Sequence, residues 1–423
     1  MHFEDLYAFL LLRSNVKGVG PAGLRVLLDK LGNPQEKFNI IHVAGTNGKG
    51  SVCTLLAHTL TCAGHRTGLF VSPHLISPTE RIQMDGKCIT KKSFSAAVQK
   101  VLACETKKLN FFEILAASAF VYFAQQKVQY AVLETGLGGS KDPTNVCAPI
   151  LSVITSIGLD HTQILGTTLT QIAKEKTGII KQNVPIFSAP LPPAAQRVVC
   201  ARAREVQSPL HMVKEGDPFV LHRIDWKSNQ MILRYKNEHW PLHLMGEKQP
   251  QNACLVYQIC AYLKVLHSAV KKAFKTVALP GRWETFAAKN KTWILDGAHN
   301  PQAMRSLLSL WKKHPAYPQA VVLCGFMKDK NYKEMLRLLY PHFKRIVLTQ
   351  PPSPRAARSK DYGVWLKRHK VDFVANYEEV PFLLAKEKVV FCTGSFYLVG
   401  ALRKILHYTL RKCVDSKVGF VVK

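Results

Sequence analysis

The sequence predicts an α/β chain of two domains. The larger, N-terminal domain is built on a mostly parallel sheet with a small antiparallel edge, and the smaller one is Rossmann-like. Three observations predict this. Short apolar runs alternate with helix-like segments in both halves of the chain. Most of those runs end in a glycine-rich or polar loop, where open parallel sheets collect ligands. The turn residues Leu279-Pro280-Gly281-Arg282 then punctuate the chain before a second α/β run begins. With 423 residues and 47% hydrophobic content, there is material for full cores in residues 1–279 and 280–423.

Each element has a local reason. Residues 40–43, 68–71, 131–134 and 150–154 are short apolar runs that read as strands of the first domain. Residues 52–60 and 111–123 read as buried helices. The second contains Glu113 and ends at Gln125-Gln126, which argues against a membrane span. Thr168 opens a helix that Gly178 stops, with Leu169, Ile172 and Ala173 on its buried face. Residues 210–245 alternate in short segments and predict antiparallel strands at an edge. Residues 293–296, 320–324, 345–348 and 389–392 are the strands of the second domain.

Residues 42–51 read His-Val-Ala-Gly-Thr-Asn-Gly-Lys-Gly-Ser, a strand end, a glycine loop with one lysine, and a hydroxyl at a helix start. This pattern builds an ATP phosphate cradle. Gly45, Gly48 and Gly50 let backbone N–H groups converge on phosphate oxygens. The helix adds the positive end of its dipole, Lys49 a full charge, and Ser51 a hydroxyl for Mg2+. The general phosphate-loop pattern is not met strictly: Val43 stands where its first glycine belongs, and Gly50 separates Lys49 from Ser51.

Ser72, Glu134 and His161 lie in loops after three predicted strands, so a parallel sheet places them beside the cradle, where they can converge on Mg2+. Taken singly, Glu134 also reads as an ion-paired or capping carboxylate and His161 as a hydrogen bonder at a helix start. Lys176, at a helix end, reads as a cation complementing the helix dipole.

The formal charge of +30 admits nucleic-acid binding, attraction of small polyanions, or a solvated basic surface. The basic residues are scattered, without a long Lys/Arg block, which favours the last two. The 11 cysteines include no C-x-x-C pair and read as thiols of a reduced cytosol. Glu4 and Asp5 stand where a signal peptide needs positive charge.

Nine strings, in order along nearly the whole chain, carry a resemblance: HVAGTNGKGS (42–51), VSPHL (71–75), ETGLGG (134–139), TSIGLDHTQILG (155–166), IAKEKTGIIK (172–181), GEKQPQNA (246–253), LPGRWE (279–284), LDGAHNP (295–301) and TGSFYLVG (393–400). The chain resembles the bifunctional dihydrofolate synthase/folylpolyglutamate synthases of the Mur ligase superfamily. The resemblance implies a Mur-ligase-like ATP-binding domain followed by a glutamate-ligase domain. It implies that Thr46, Asn47, Gly48, Lys49 and Gly50 hold the triphosphate. Ser51, Ser72 and Glu134 organise one Mg2+, and His161 binds a second with Glu134 and Lys176, the lysine being carbamylated. Asn252 and Arg282 contact nucleotide across the domain cleft, and Asp296 and His299 complete the site on closure. Asn110, Phe111, Phe112, Glu113, Lys141, Asp142 and Pro143 fall at pterin-side positions. The implied reaction phosphorylates the carboxylate of dihydropteroate or a folate, and L-glutamate then displaces phosphate. The implied enzyme is cytoplasmic and monomeric, with small-molecule substrates and neither nucleic acid nor membrane as partner.

One loop departs from the family. Where its members carry Arg-Leu-Asp-Ala-Thr-Asn, this chain has Ser140-Lys141-Asp142-Pro143-Thr144-Asn145. Lysine does not reproduce a guanidinium fork, and proline fixes φ in a loop expected to face the pterin. The alternatives are a cell-wall precursor ligase of the same superfamily and a basic nucleic-acid-binding ATPase.

Overall fold

The computed structural model describes residues 2–214, 217–288, 291–369, 371–415 and 421–422. They form two compact units, one of Met1–Val220, Arg234–Trp240 and Pro250–Val277, the other of Leu221–Leu233, Pro241–Gln249 and Ala278–Lys423.

The first unit is organised by a sheet whose strands are β1 (Asn39–Ala44), β2 (Thr67–Phe70), β3 (Ile82–Met84), β4 (Lys87–Cys88), β5 (Tyr130–Glu134), β6 (Leu151–Ile154), β7 (Ile186–Ser188) and β8 (Leu210–Met212). Their spatial order is β4-β3-β2-β5-β1-β6-β7-β8. β1 lies parallel between β5 and β6, with Val43 opposite Glu134 and Ala44 opposite Ile154. β2 is parallel to β5. The carboxyl ends of these four strands therefore share one edge, which positions the site. Burial on both faces explains why β1, β5 and β6 show no apolar–polar alternation in exposure: even His42 on β1 and Ser152 on β6 are fully buried.

The antiparallel edge lies elsewhere than expected. It is β3–β4, where β3 runs antiparallel to β2 and β4 to β3. Residues of the 210–245 stretch instead give β8, parallel to β7, and a separate sheet of β9 (Val220–Asp225), β10 (Gln230–Tyr235) and β11 (Glu238–Leu242). Alternation reported half-buried strands there, but it carries no information on which sheet they join.

The helix Phe111–Gln125 is buried along nearly its whole length, as its apolar residues on all sides require. Gly68 on β2 makes room for it, since a Cβ there would lie 2.8 Å from the Phe123 ring. No described helix is long and apolar enough to cross a membrane.

The second unit contains β12 (Glu284–Ala288), β13 (Lys291–Leu295), β14 (Val321–Cys324), β15 (Arg345–Thr349), β16 (Asp372–Val374), β17 (Val389–Thr393) and β18 (Val421–Val422), in the order β16-β15-β14-β17-β13-β12-β18. β13 to β17 pair in parallel, and β12 joins antiparallel to β13. Trp311, Phe343 and Phe391 pack together beside this sheet, with the Trp311 and Phe343 rings stacked at 5.2 Å.

Candidate active site

β1 delivers the chain to Gly45, where a Cβ would sit 2.0 Å from Thr155 Oγ1. Gly48 then turns into the helix Lys49–Cys62 at φ +86°, a region that favours glycine. A side chain at Gly48 would also press on Asn252, whose Oδ1 lies 3.2 Å from that Cβ position. The loop after β6 holds this turn in shape. Thr46 N donates to Ser156 O at 2.8 Å, and Asn47 N donates to Ser156 Oγ at 2.9 Å. The Thr155 and Ser156 hydroxyls each donate to Asn47 O at 2.8 Å. The helix beginning at Lys49 presents first-turn amides without carbonyl partners inside the helix, a seat for a phosphate anion.

Glu134, at the end of β5, is almost wholly buried. Its Oε1 lies 3.9 Å from Lys49 Nζ, and its Oε2 accepts from Ser72 N at 3.0 Å. Ser51 is buried in the first turn of the same helix. The donors gathered here are carboxylate and hydroxyl oxygens. Among the described residues, no three His, Cys, Asp or Glu side chains form a metal-holding group. A sparse oxygen set of this kind fits Mg2+, which binds few protein ligands and keeps waters.

The helix Leu169–Thr177 starts from Thr168 through a capping box with Gln171 and ends at Gly178. Ile172 and Ala173 are buried as expected, whereas Leu169 is only half-buried. Lys176 is also buried, and its Nζ donates to Gly45 O at 2.8 Å, beneath the phosphate loop. Its ammonium is thus committed across the sheet edge. Burial, reinforced by Lys49, lowers the Lys176 pKa to about 7, while Asp160 and Asp142 oppose the shift. His161 is exposed in the left-handed region at φ +50°, at the start of the short helix Thr162–Leu165, with its Nε2 3.9 Å from Asp160 Oδ1.

The residues read as pterin-side have architectural partners. Asn110 and Glu113 form a capping box, and Glu113 Oε1 also accepts from Gly20 N at 2.7 Å. Phe111 carries the Arg81 guanidinium 5.2 Å above its ring. The Phe112 ring occupies the space a Cβ on Gly136 would need, 2.6 Å away. Asp142 is buried and accepts from Leu137 N at 2.8 Å and from Thr144 N at 3.0 Å. Lys141 is exposed and Pro143 half-buried.

In the second unit, Asp296 follows β13. Its carboxylate accepts from Trp283 N at 3.0 Å and Ala298 N at 2.9 Å. Burial raises its pKa, opposed by Arg282 and those two amides. The Arg282 guanidinium lies 4.8 Å over the Phe396 ring, and the His299 ring sits 5.2 Å from the same ring. His299 Nδ1 donates to Gly297 O at 2.9 Å.

Residues 43–260 match the Mur ligase middle domain, and residues 281–396 match the Mur ligase glutamate ligase domain. The dihydrofolate synthase/folylpolyglutamate synthase of Bacillus subtilis is 32% identical over 408 residues, covering 92% of this chain and 95% of its own. The chain belongs to this branch of the Mur ligases. Two solved relatives agree. Folylpolyglutamate synthase of Mycobacterium tuberculosis, complexed with ADP and AMPPCP, is 28% identical, with a TM-score of 0.86 over 96% of this chain and 98% of that one. E. coli FolC in complex with DHPP and ADP is 25% identical, with a TM-score of 0.84 and the same coverages.

In this Mur ligase the departing loop turns inward. Ser140 donates through N and Oγ to Glu175 O, at 2.8 and 3.0 Å, and Asn145 Nδ2 donates to Gly178 O at 3.2 Å. Ser140 and Asn145 thus brace the helix end that holds Lys176. Sequence reasoning missed that brace, and it missed Thr155 and Ser156 as keepers of the phosphate loop. Their only signal was a run of small hydroxyl residues just after a predicted strand.

Proposed function

We propose that this chain is an ATP-dependent ligase that adds L-glutamate to dihydropteroate or to folate (poly)glutamates through an acyl phosphate. The observation that carries the reading is the Lys49–Glu134 pair at the mouth of a glycine phosphate loop, in a chain of this branch of the Mur ligases. Residues 1–279 hold ATP, and residues 280–423 form the glutamate-ligase part. The chain works as a cytoplasmic monomer on small molecules.

The loop amides and Lys49 hold the triphosphate and neutralise charge that builds on the transferred phosphoryl group. Ser51, Ser72 and Glu134 are the oxygen ligands for a first Mg2+; His161 and Lys176 join Glu134 at a second. Bound there, Mg2+ would offset phosphate charge. Asn252 of the first unit, and Arg282 and Asp296 of the second, are our further candidates for nucleotide contacts. The acceptor carboxylate takes the phosphoryl group, and the glutamate amine then attacks the acyl carbon. Phosphate departs with the C–O electron pair as the amide forms, and the amine loses its proton. His299 is our candidate to receive that proton.

Carbamylation of Lys176 belongs to the same proposal. A buried amine with a pKa near 7 is substantially neutral at physiological pH. The neutral nitrogen attacks CO2, releases one proton and becomes an anionic carbamate. Intact-mass measurement in bicarbonate tests it; an active enzyme with unmodified Lys176 removes the proposal.

The deciding experiment is phosphate release from ATP with Mg2+ and L-glutamate, comparing dihydropteroate, tetrahydrofolate, polynucleotide and no acceptor. Stimulation by either pteroyl compound is the expected result. Stimulation by polynucleotide alone would overturn it.

A further inference from the structure

The buried imidazole of His42 has no part in the chemistry above, yet it stands at the centre of a hydrogen-bonded chain. His42 lies on β1, three residues before Gly45, and is completely buried. Its Nε2 is 2.8 Å from Thr144 Oγ1, and its Nδ1 is 3.7 Å from Cys147 Sγ. Thr144 Oγ1 donates to Asp142 Oδ1 at 2.5 Å. The other carboxylate oxygen, Oδ2, accepts from Leu137 N, inside the loop that follows Glu134.

Counting protons fixes the direction of the chain. Burial raises the Asp142 pKa, but the Thr144 hydroxyl and the Leu137 and Thr144 amides converge on the carboxylate and favour its ionised, acceptor-only form. A hydroxyl has one proton, and Thr144 gives it to that carboxylate, so Thr144 Oγ1 accepts from His42. Nε2 therefore carries the imidazole proton, and Nδ1 accepts weakly from the Cys147 thiol. Burial, and secondarily Lys181, lowers the His42 pKa to about 3, so the ring stays neutral in this tautomer. Burial also raises the Cys147 pKa to about 12, which keeps the thiol protonated.

We propose that His42 is a positioning residue: through Thr144 and Asp142 it fixes the 134–139 loop against the strand that carries the phosphate loop. Asp142 is then an internal strut of that loop. The strut couples Glu134 to Gly45 with no charged group moving. It rests on the ligase reading above, and its first test does not depend on activity.

That test is the 15N spectrum of selectively labelled His42. A neutral Nε2–H ring, unchanged between about pH 6 and about pH 8, is expected; an Nδ1–H ring or a cation overturns the proposal. Steady-state kinetics follow, with wild-type amide formation measured first, so that failure of the ligase reading is seen separately. Replacing His42→Leu should lower kcat by about tenfold or more, with KM for the acceptor within about threefold of wild type. His42→Gln, whose amide N–H reaches the Nε2 position, should recover most of that loss. Thr144→Val should lower kcat as His42→Leu does, and the double variant should be little worse than either single one. If His42→Leu does not fold, the glutamine and valine variants decide. Wild-type kinetics in Thr144→Val, a glutamine variant as impaired as the leucine one, or an Asp142→Asn enzyme altered only in acceptor KM would each overturn it.

Discussion

Two lysines carry opposite arguments at the scale of single residues. Lys49 is the loop's full positive charge, 3.9 Å from Glu134. Lys49→Met should lower kcat by roughly 100-fold or more while leaving the fold intact, because it removes a charge aimed at the transferred phosphoryl group. Circular dichroism and turnover, measured on one preparation, check this. Lys176 is buried where charge is disfavoured, and its pKa falls from 10.5 to about 7. Below about pH 7 the fold carries the whole penalty of a buried ammonium. As pH rises from 7 towards 10.5 the unfolded chain holds the extra proton, so folding gains stability across that window. Lys176→Met should therefore be more stable than wild type by the most near pH 6.5, on the order of a few kcal/mol, and by least near pH 10. Urea denaturation at both pH values, in CO2-free buffer, measures this. An advantage independent of pH would contradict the burial argument.

Among elements, the helix Phe111–Gln125 shows how motif residues serve structure. Asn110 caps it and Glu113 closes the box while also holding Gly20 N. Asn110→Ala should cost about 1 kcal/mol in urea denaturation, and Asn110→Asp, which keeps the cap, should cost much less. A loss of acceptor affinity with no loss of stability would instead assign Asn110 a contact with the substrate. The alternation of apolar runs and loops made the parallel strands legible from sequence, because strands buried on both faces read as short, mostly apolar runs. The glycine loop was legible because Gly48 serves a backbone conformation other residues avoid. The true antiparallel edge was not: β4 has two residues, both exposed, and leaves no periodic trace. Nor was the commitment of Asp142 to the Thr144 hydroxyl and the Leu137 and Thr144 amides, since sequence position does not show which donors a carboxylate accepts from.

For the whole molecule, the +30 charge is a field acting on a small polyanion. The second-order rate of ATP binding should fall several-fold between about 50 mM and about 300 mM salt, because the Debye length shrinks from above 10 Å to about 5 Å. Stopped-flow binding reads this directly, and a salt-independent rate would assign the charge to solubility alone. The same long-range balance appears in miniature at Lys49 and Glu134, each of which is the other's counterion. On the proposed reading, a triphosphate arriving alone would draw Lys49 away from the buried Glu134 carboxylate, and a divalent cation arriving alone would draw Glu134 away from Lys49. Each guest would then raise the affinity for the other by the same factor, a heterotropic coupling written into one ion pair.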